Sequence, residues 1–167
     1  MIRGGCEHGL DPCSQRRGEN GSSLGRDCFP TDMVRLGLVI AQYDKHGSVL
    51  SEMERTAREA ADERDAEIVA TREVPGAYDT PLAADRLARR DDVDAVAVLG
   101  VIVSGDTDHD QVIGHAAAGG LTDVSLDRDT PVTLGIIGPG MSQDEAAARA
   151  HKGGEAVDSA IDMVSEL

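Results

Sequence analysis

The chain has 167 residues, which suits one compact domain and leaves little room for two. Thirty-one acidic residues against 16 basic ones give a formal charge of −15, which argues against binding to phosphate backbones or anionic membranes. No apolar run nears the ~20 residues of a membrane span, and no secretory signal is visible, so the expected compartment is the cytoplasm.

Residues 1–32 hold all three cysteines (Cys6, Cys13, Cys28) and show no apolar periodicity. The spacing of Cys6, His8 and Cys13 matches no zinc pattern, so no metal site is expected. This stretch reads as a disordered tail or a start codon called too early, with the domain spanning 33–167.

From Met33 the pattern alternates. Val34–Ala41 is a short apolar run, read as a buried strand. Ser48 to about Arg64 has apolar residues at helical spacing. Glu67–Val74 is strand-like and is stopped by Pro75-Gly76. Thr80–Arg90 reads as a helix with Pro81 in its first turn. Asp94–Val103 is apolar without alternation, which implies burial on both faces. A helix is expected from His109 through Ala118, a strand over Pro131–Ile137, and a helical region over Ser142–Leu167 with a break at Gly153-Gly154. This order predicts an α/β fold, a four-stranded parallel sheet with helices on both faces.

Ligands in such sheets bind beyond the C-terminal strand ends. The loops to examine are therefore Gln42–His46, Pro75–Thr80, Ser104–His109 and Gly138–Ser142. The domain's two aromatics, Tyr43 and Tyr78, fall just past the first and second strands. A ring there either stacks on a flat heterocycle or packs on a loop. In Ser104–His109, Thr107 or Asp108 can cap the next helix, whose first amides attract anions. Asp106 and Asp108 oppose that, unless they turn away or meet an arginine. His109 starts the helix, and a free imidazole titrates near ~6.5, which suits proton transfer; a capping or surface role is the plainer alternative. His115 reads as structural. Arg149 and Lys152 are the only lysine or arginine residues after Arg128, and their spacing places both on one face of a helix. They serve either an anionic ligand or nearby acids.

Five segments then occur in order: AQYD (Ala41–Asp44), VPGAYDTPLA (Val74–Ala83), DDVDAVAVLGVIVSGDTDHDQV (Asp91–Val112), PVTLGIIGPGM (Pro131–Met141) and ARAHKGGEAVDSAIDMV (Ala148–Val164). Together they resemble the lumazine synthase family in its archaeal form. The resemblance implies a flavodoxin-like three-layer fold. It also implies condensation of 5-amino-6-(D-ribitylamino)uracil with 3,4-dihydroxy-2-butanone 4-phosphate, without metal or organic cofactor. By the same resemblance, Tyr43, Ala77, Tyr78, Asp79, Val101, Ile102, Val103 and Leu134 would contact the ribitylaminouracil. Asp106, Thr107, Arg149 and Lys152 would contact the butanone phosphate, and His109 would transfer protons. Tyr43 stands where the family usually has Phe, Asp79 where bacterial members have Glu, and Leu134 where they place an aromatic. Family members assemble as pentamers, some as icosahedral shells, with active sites between subunits. Two other readings fit the residues: archaeal-type riboflavin synthase, and a non-catalytic flavin- or nucleotide-binding module.

Aspartate outnumbers glutamate 20 to 11, and Lys45 and Lys152 are the only lysines. That balance resembles the surface bias of salt-in halophiles. Charge self-repulsion destabilises such a fold in dilute buffer and is screened in strong salt.

Overall fold

The computed structural model describes residues 33–43 and 47–167. The tail over 1–32, with its cysteines, and Asp44, Lys45 and His46 lie outside the described residues.

Four strands, β1 (Arg35–Ala41), β2 (Glu67–Val74), β3 (Ala95–Val101) and β4 (Val132–Ile137), form one parallel sheet in the order β2-β1-β3-β4. All seven residues of β3 are buried, as its unbroken apolar run requires of a strand covered on both faces. Helices α1 (Gly47–Glu63) and α5 (Lys152–Glu166) cover one face. There Met53 and Val157 pack on Leu38, Ile40 and Leu99. Helices α2 (Thr80–Ala88) and α3 (His109–Arg128) cover the other, where Leu87 and Leu121 meet Val39, Val96 and Val98. Neighbouring residues of one strand thus enter different layers, the ordinary consequence of a two-residue repeat. The result is the expected three-layer α/β architecture.

Helix α3 corrects one expectation. It does not stop near Ala118 but runs through Gly119 and Gly120 to Arg128. A Cβ on Gly120 would lie 2.8 Å from Pro81 Cγ, so the glycine lets α3 approach the first turn of α2. Close packing at Gly120 therefore offsets its poor helix propensity. The helix ends where Asp129 turns left-handed, at φ 50°.

The C-terminal region corrects another. The break is not at Gly153-Gly154. A short α4 (Gln143–Ala147) opens with a capping box between Ser142 and Glu145 and gives way to a turn over 148–151. In that turn the amides of Arg149, Ala150 and Lys152 bond carbonyls three residues back rather than four, which tightens the winding. Gly153 and Gly154 belong to the first turn of α5. A Cβ on Gly153 would stand 2.1 Å from the Met53 carbonyl oxygen, so glycine is what allows α5 to lie against α1.

Candidate functional site

A parallel sheet brings the C-terminal ends of its strands to one edge, and here a small core holds them together. Ala41, Ala77 and Ile102 are buried against one another, with Val74, Ile113 and Ile136 packed beside them. The Gln42 amide donates to the Val74 carbonyl at 2.7 Å. Residues Ala77–Asp79 form a 3-10 turn. The fully buried Thr80 hydroxyl fixes it, donating to the Ala77 carbonyl at 2.7 Å. The chain is thereby forced to present Tyr78, 64% exposed, and Asp79 to solvent. Tyr43 is 47% exposed at the end of β1. Neither ring serves the core. Val101 and Ile102 are buried, Val103 is half-buried, and the Ile102 amide already donates to the Ile137 carbonyl at 2.8 Å.

The loop from β3 to α3 is exposed from Ser104 through His109. Among the described residues no side chain caps α3, contrary to expectation for Thr107 or Asp108. The Asp108 carbonyl instead accepts the amides of Gln111 and Val112, at 3.1 and 3.3 Å. Asp106 and Asp108 form no salt bridge among the described residues, so their charge is carried by solvent. His109, the first residue of α3, is exposed. His115 stays with its own helix, its Nδ1 2.7 Å from the Gln111 carbonyl oxygen. One residue went unremarked in the sequence. Asp110 is buried, and its Oδ2 accepts the Gly140 amide at 3.1 Å and the Ser104 hydroxyl at 3.4 Å. Asp110 follows a more conspicuous His109, and its partners lie on two other loops, so no local pattern marks it.

A second group lies elsewhere. Leu134, Arg149 and Lys152 line a groove of about 480 Å³ along the outer edge of β4, with Met141, Glu155 and Met163. None of Tyr43, Tyr78, Asp79, Asp106, Thr107 or His109 lines it. Leu134 is 53% exposed on this edge strand. Arg149 and Lys152 do share a groove, but not one helix as expected: Arg149 sits in the turn before α5 and Lys152 begins α5. The Arg149 guanidinium donates to the Glu145 carbonyl at 2.7 Å and forms no salt bridge among the described residues. Lys152 pairs with Glu155, and that contact holds the Glu155 carboxyl below the usual carboxylate range. Hydrogen bonds from Ser142 lower Glu145 similarly, with a smaller contribution from Arg149. The groove therefore offers one cation paired with a carboxylate and one that is bonded to a main-chain carbonyl and forms no salt bridge among the described residues.

Residues 33–167 match the family model described as 6,7-dimethyl-8-ribityllumazine synthase. The chain belongs to this family. The curated lumazine synthase of Halobacterium salinarum is 63% identical over 135 residues, which is 81% of this chain and 100% of that protein. That of Halorubrum lacusprofundi is 64% identical, covering 81% and 99% of the two chains. The lumazine synthase of Methanocaldococcus jannaschii is 42% identical, covering 81% and 94%. Lumazine synthase membership sets aside the riboflavin synthase and non-catalytic readings. The first two relatives come from halophilic archaea, in keeping with the Asp-rich, Lys-poor composition. No group of three or more His, Cys, Asp or Glu among the described residues is arranged to hold a metal. No helix of the described residues is long and apolar enough to cross a membrane.

Proposed function

We propose that this enzyme of riboflavin biosynthesis condenses 5-amino-6-(D-ribitylamino)uracil with 3,4-dihydroxy-2-butanone 4-phosphate, in a pocket that two copies of the chain complete. The product is 6,7-dimethyl-8-ribityllumazine, with phosphate and water released. Membership of the lumazine synthase family over residues 33–167 supports the reaction. One observation carries the shared pocket: Arg149 and Lys152 line a groove that none of His109, Tyr43 and Tyr78 lines. In this reading a single chain holds two halves of a site, and a neighbouring copy completes each.

In this reading Tyr43 stacks on the pyrimidine, and Ala77, Tyr78 and Asp79 hold the ribitylamino side. Val101, Ile102 and Val103 form the pocket wall, and Leu134 of the partner subunit gives apolar cover. Asp106 and Thr107 meet the phosphate through their loop. Arg149 of the partner subunit neutralises it, with Lys152 of the partner subunit as a second cation. His109 moves protons during imine formation, phosphate elimination and ring closure. Holding both reactants in register is worth about 7–11 kcal/mol in well-oriented reactions. The protein works as a cytoplasmic homo-oligomer, a pentamer or a shell built of pentamers, in which each protomer lends an arginine to its neighbour.

Complementation between inactive variants tests this. Arg149→Ala loses about 2–5 kcal/mol of binding to the butanone phosphate, and His109→Ala loses about 10²-fold or more in rate. Refolded together in equal amounts, the two variants regenerate about one site in four with both groups intact. Lumazine fluorescence at limiting butanone phosphate reads the recovery. Activity no higher than the mean of the separate variants discards the shared pocket.

A further inference from the structure

We propose that Asp110 is a positioning residue, which sets the Ser104–His109 loop for the phosphorylated substrate by tying it to the turn after β4. The proposal rests on the functional reading above.

Among the described residues the loop has little else to hold it. Its residues from Ser104 to His109 are exposed, and no side chain among the described residues caps the helix it enters. Two links fasten it to the turn after β4. The Ser104 amide donates to the Met141 carbonyl at 3.0 Å, at the start of the loop. Asp110 supplies the other, from the far end. Its Oδ2 takes the Gly140 amide at 3.1 Å and the Ser104 hydroxyl at 3.4 Å. One carboxylate thus clamps both ends of the loop to the neighbouring turn.

Gly140 is shaped for this contact. Its φ of +83° lies in the left-handed region, which glycine adopts at least cost. There is no steric reason for a glycine, because the nearest atom to an added Cβ is Gln111 Nε2 at 3.6 Å. The backbone conformation that aims the amide at Asp110 is therefore what favours glycine here. Asp110 is only 9% exposed, and a carboxylate so buried without donors would be costly. Here two donors meet it. The turn also carries Met141 into the groove that holds Arg149. Asp110 therefore registers the His109 loop against the element that borders the arginine half-site.

Asp110→Ala is expected to raise KM for the butanone phosphate about tenfold, the value of a lost hydrogen bond to a charged group. KM for the pyrimidine stays within about twofold, because Tyr43 and the 77–79 turn are held by other contacts. Asp110→Asn keeps a carbonyl oxygen for the Gly140 amide and restores KM to within about threefold of the wild type. An equal rise in both KM values, or no rescue by asparagine, overturns the proposal while wild-type activity still upholds the functional reading. Wild-type protein that makes no lumazine overturns both. If Asp110→Ala does not fold, Gly140→Ala approaches the clamp from the donor side. The same selective rise in KM supports the proposal, and unchanged or equally raised values overturn it.

Discussion

Replacing Gly153 by alanine puts a methyl carbon 2.1 Å from the Met53 carbonyl oxygen and 2.7 Å from the carbonyl carbon. Ordinary C···O contacts begin near ~3.3 Å, so α1 and α5 must part by about an ångström. Met53 is fully buried, and the atoms struck are main chain, so no rotamer change relieves the collision. Overpacking of this kind costs about 1–3 kcal/mol, and a backbone clash belongs at the upper end. Alanine returns about 0.5–1 kcal/mol through its lower conformational entropy. The net loss is about 2 kcal/mol, or roughly 6 °C in Tm for a domain of this size. Gly119→Ala is the control, since nothing lies within 4 Å of a Cβ there. It makes the same chemical change without the collision and is expected to gain about 0.5–1 kcal/mol. Thermal unfolding of both variants, followed by circular dichroism at one salt and protein concentration, measures the difference. Only Lys152 separates Gly153 from the turn over 148–151, so the displaced α5 also shifts Arg149. A Gly153→Ala protein as stable as Gly119→Ala refutes the packing argument.

Two further predictions concern charge. Burial pushes the Asp94 carboxyl up, but hydrogen bonds from the Arg35 guanidinium and backbone amide outweigh this and hold it below its ordinary value. A carboxylate depressed in the folded state stabilises the fold above the unfolded pKa of ~3.9. That stability is lost as pH falls through the folded value. Asp94→Asn should therefore cost about 1–2 kcal/mol at pH 7, and urea midpoints of variant and wild type should converge as the pH drops below about 4. A gap that does not narrow removes the linkage. The formal charge of −15 predicts that stability climbs with salt as the Debye length shrinks to ~3 Å near 1 M. Light scattering over the same series should find pentamers at low salt and larger particles at high salt. A constant mass discards the salt-dependent assembly, and a flat unfolding midpoint discards the self-repulsion.

The period of the apolar residues was enough to locate β1, β2, β3 and β4 and to require that β3 be covered on both faces. It also directed attention to the strand ends, where Tyr43, Tyr78 and His109 do stand exposed. Local spacing carries this information because an element's type depends on residues within a turn or two of one another. Contacts between distant parts of the chain are decided differently. Gly120 disfavours a helix until Pro81 is seen packing against it, and Gly153 looks like a kink until α1 fills the space of its missing side chain. Asp110 has no sequence signature, because Gly140 lies 30 residues away. Leu134, Arg149 and Lys152 are equally legible as family residues, yet only the stacking of β4 and α5 shows them sharing a groove apart from His109. Sequence alone settled the four strands, the alternation of strands with helices and the family-like motifs. Tertiary structure decided which side chains meet, because that depends on how the layers stack and not on any short-range repeat.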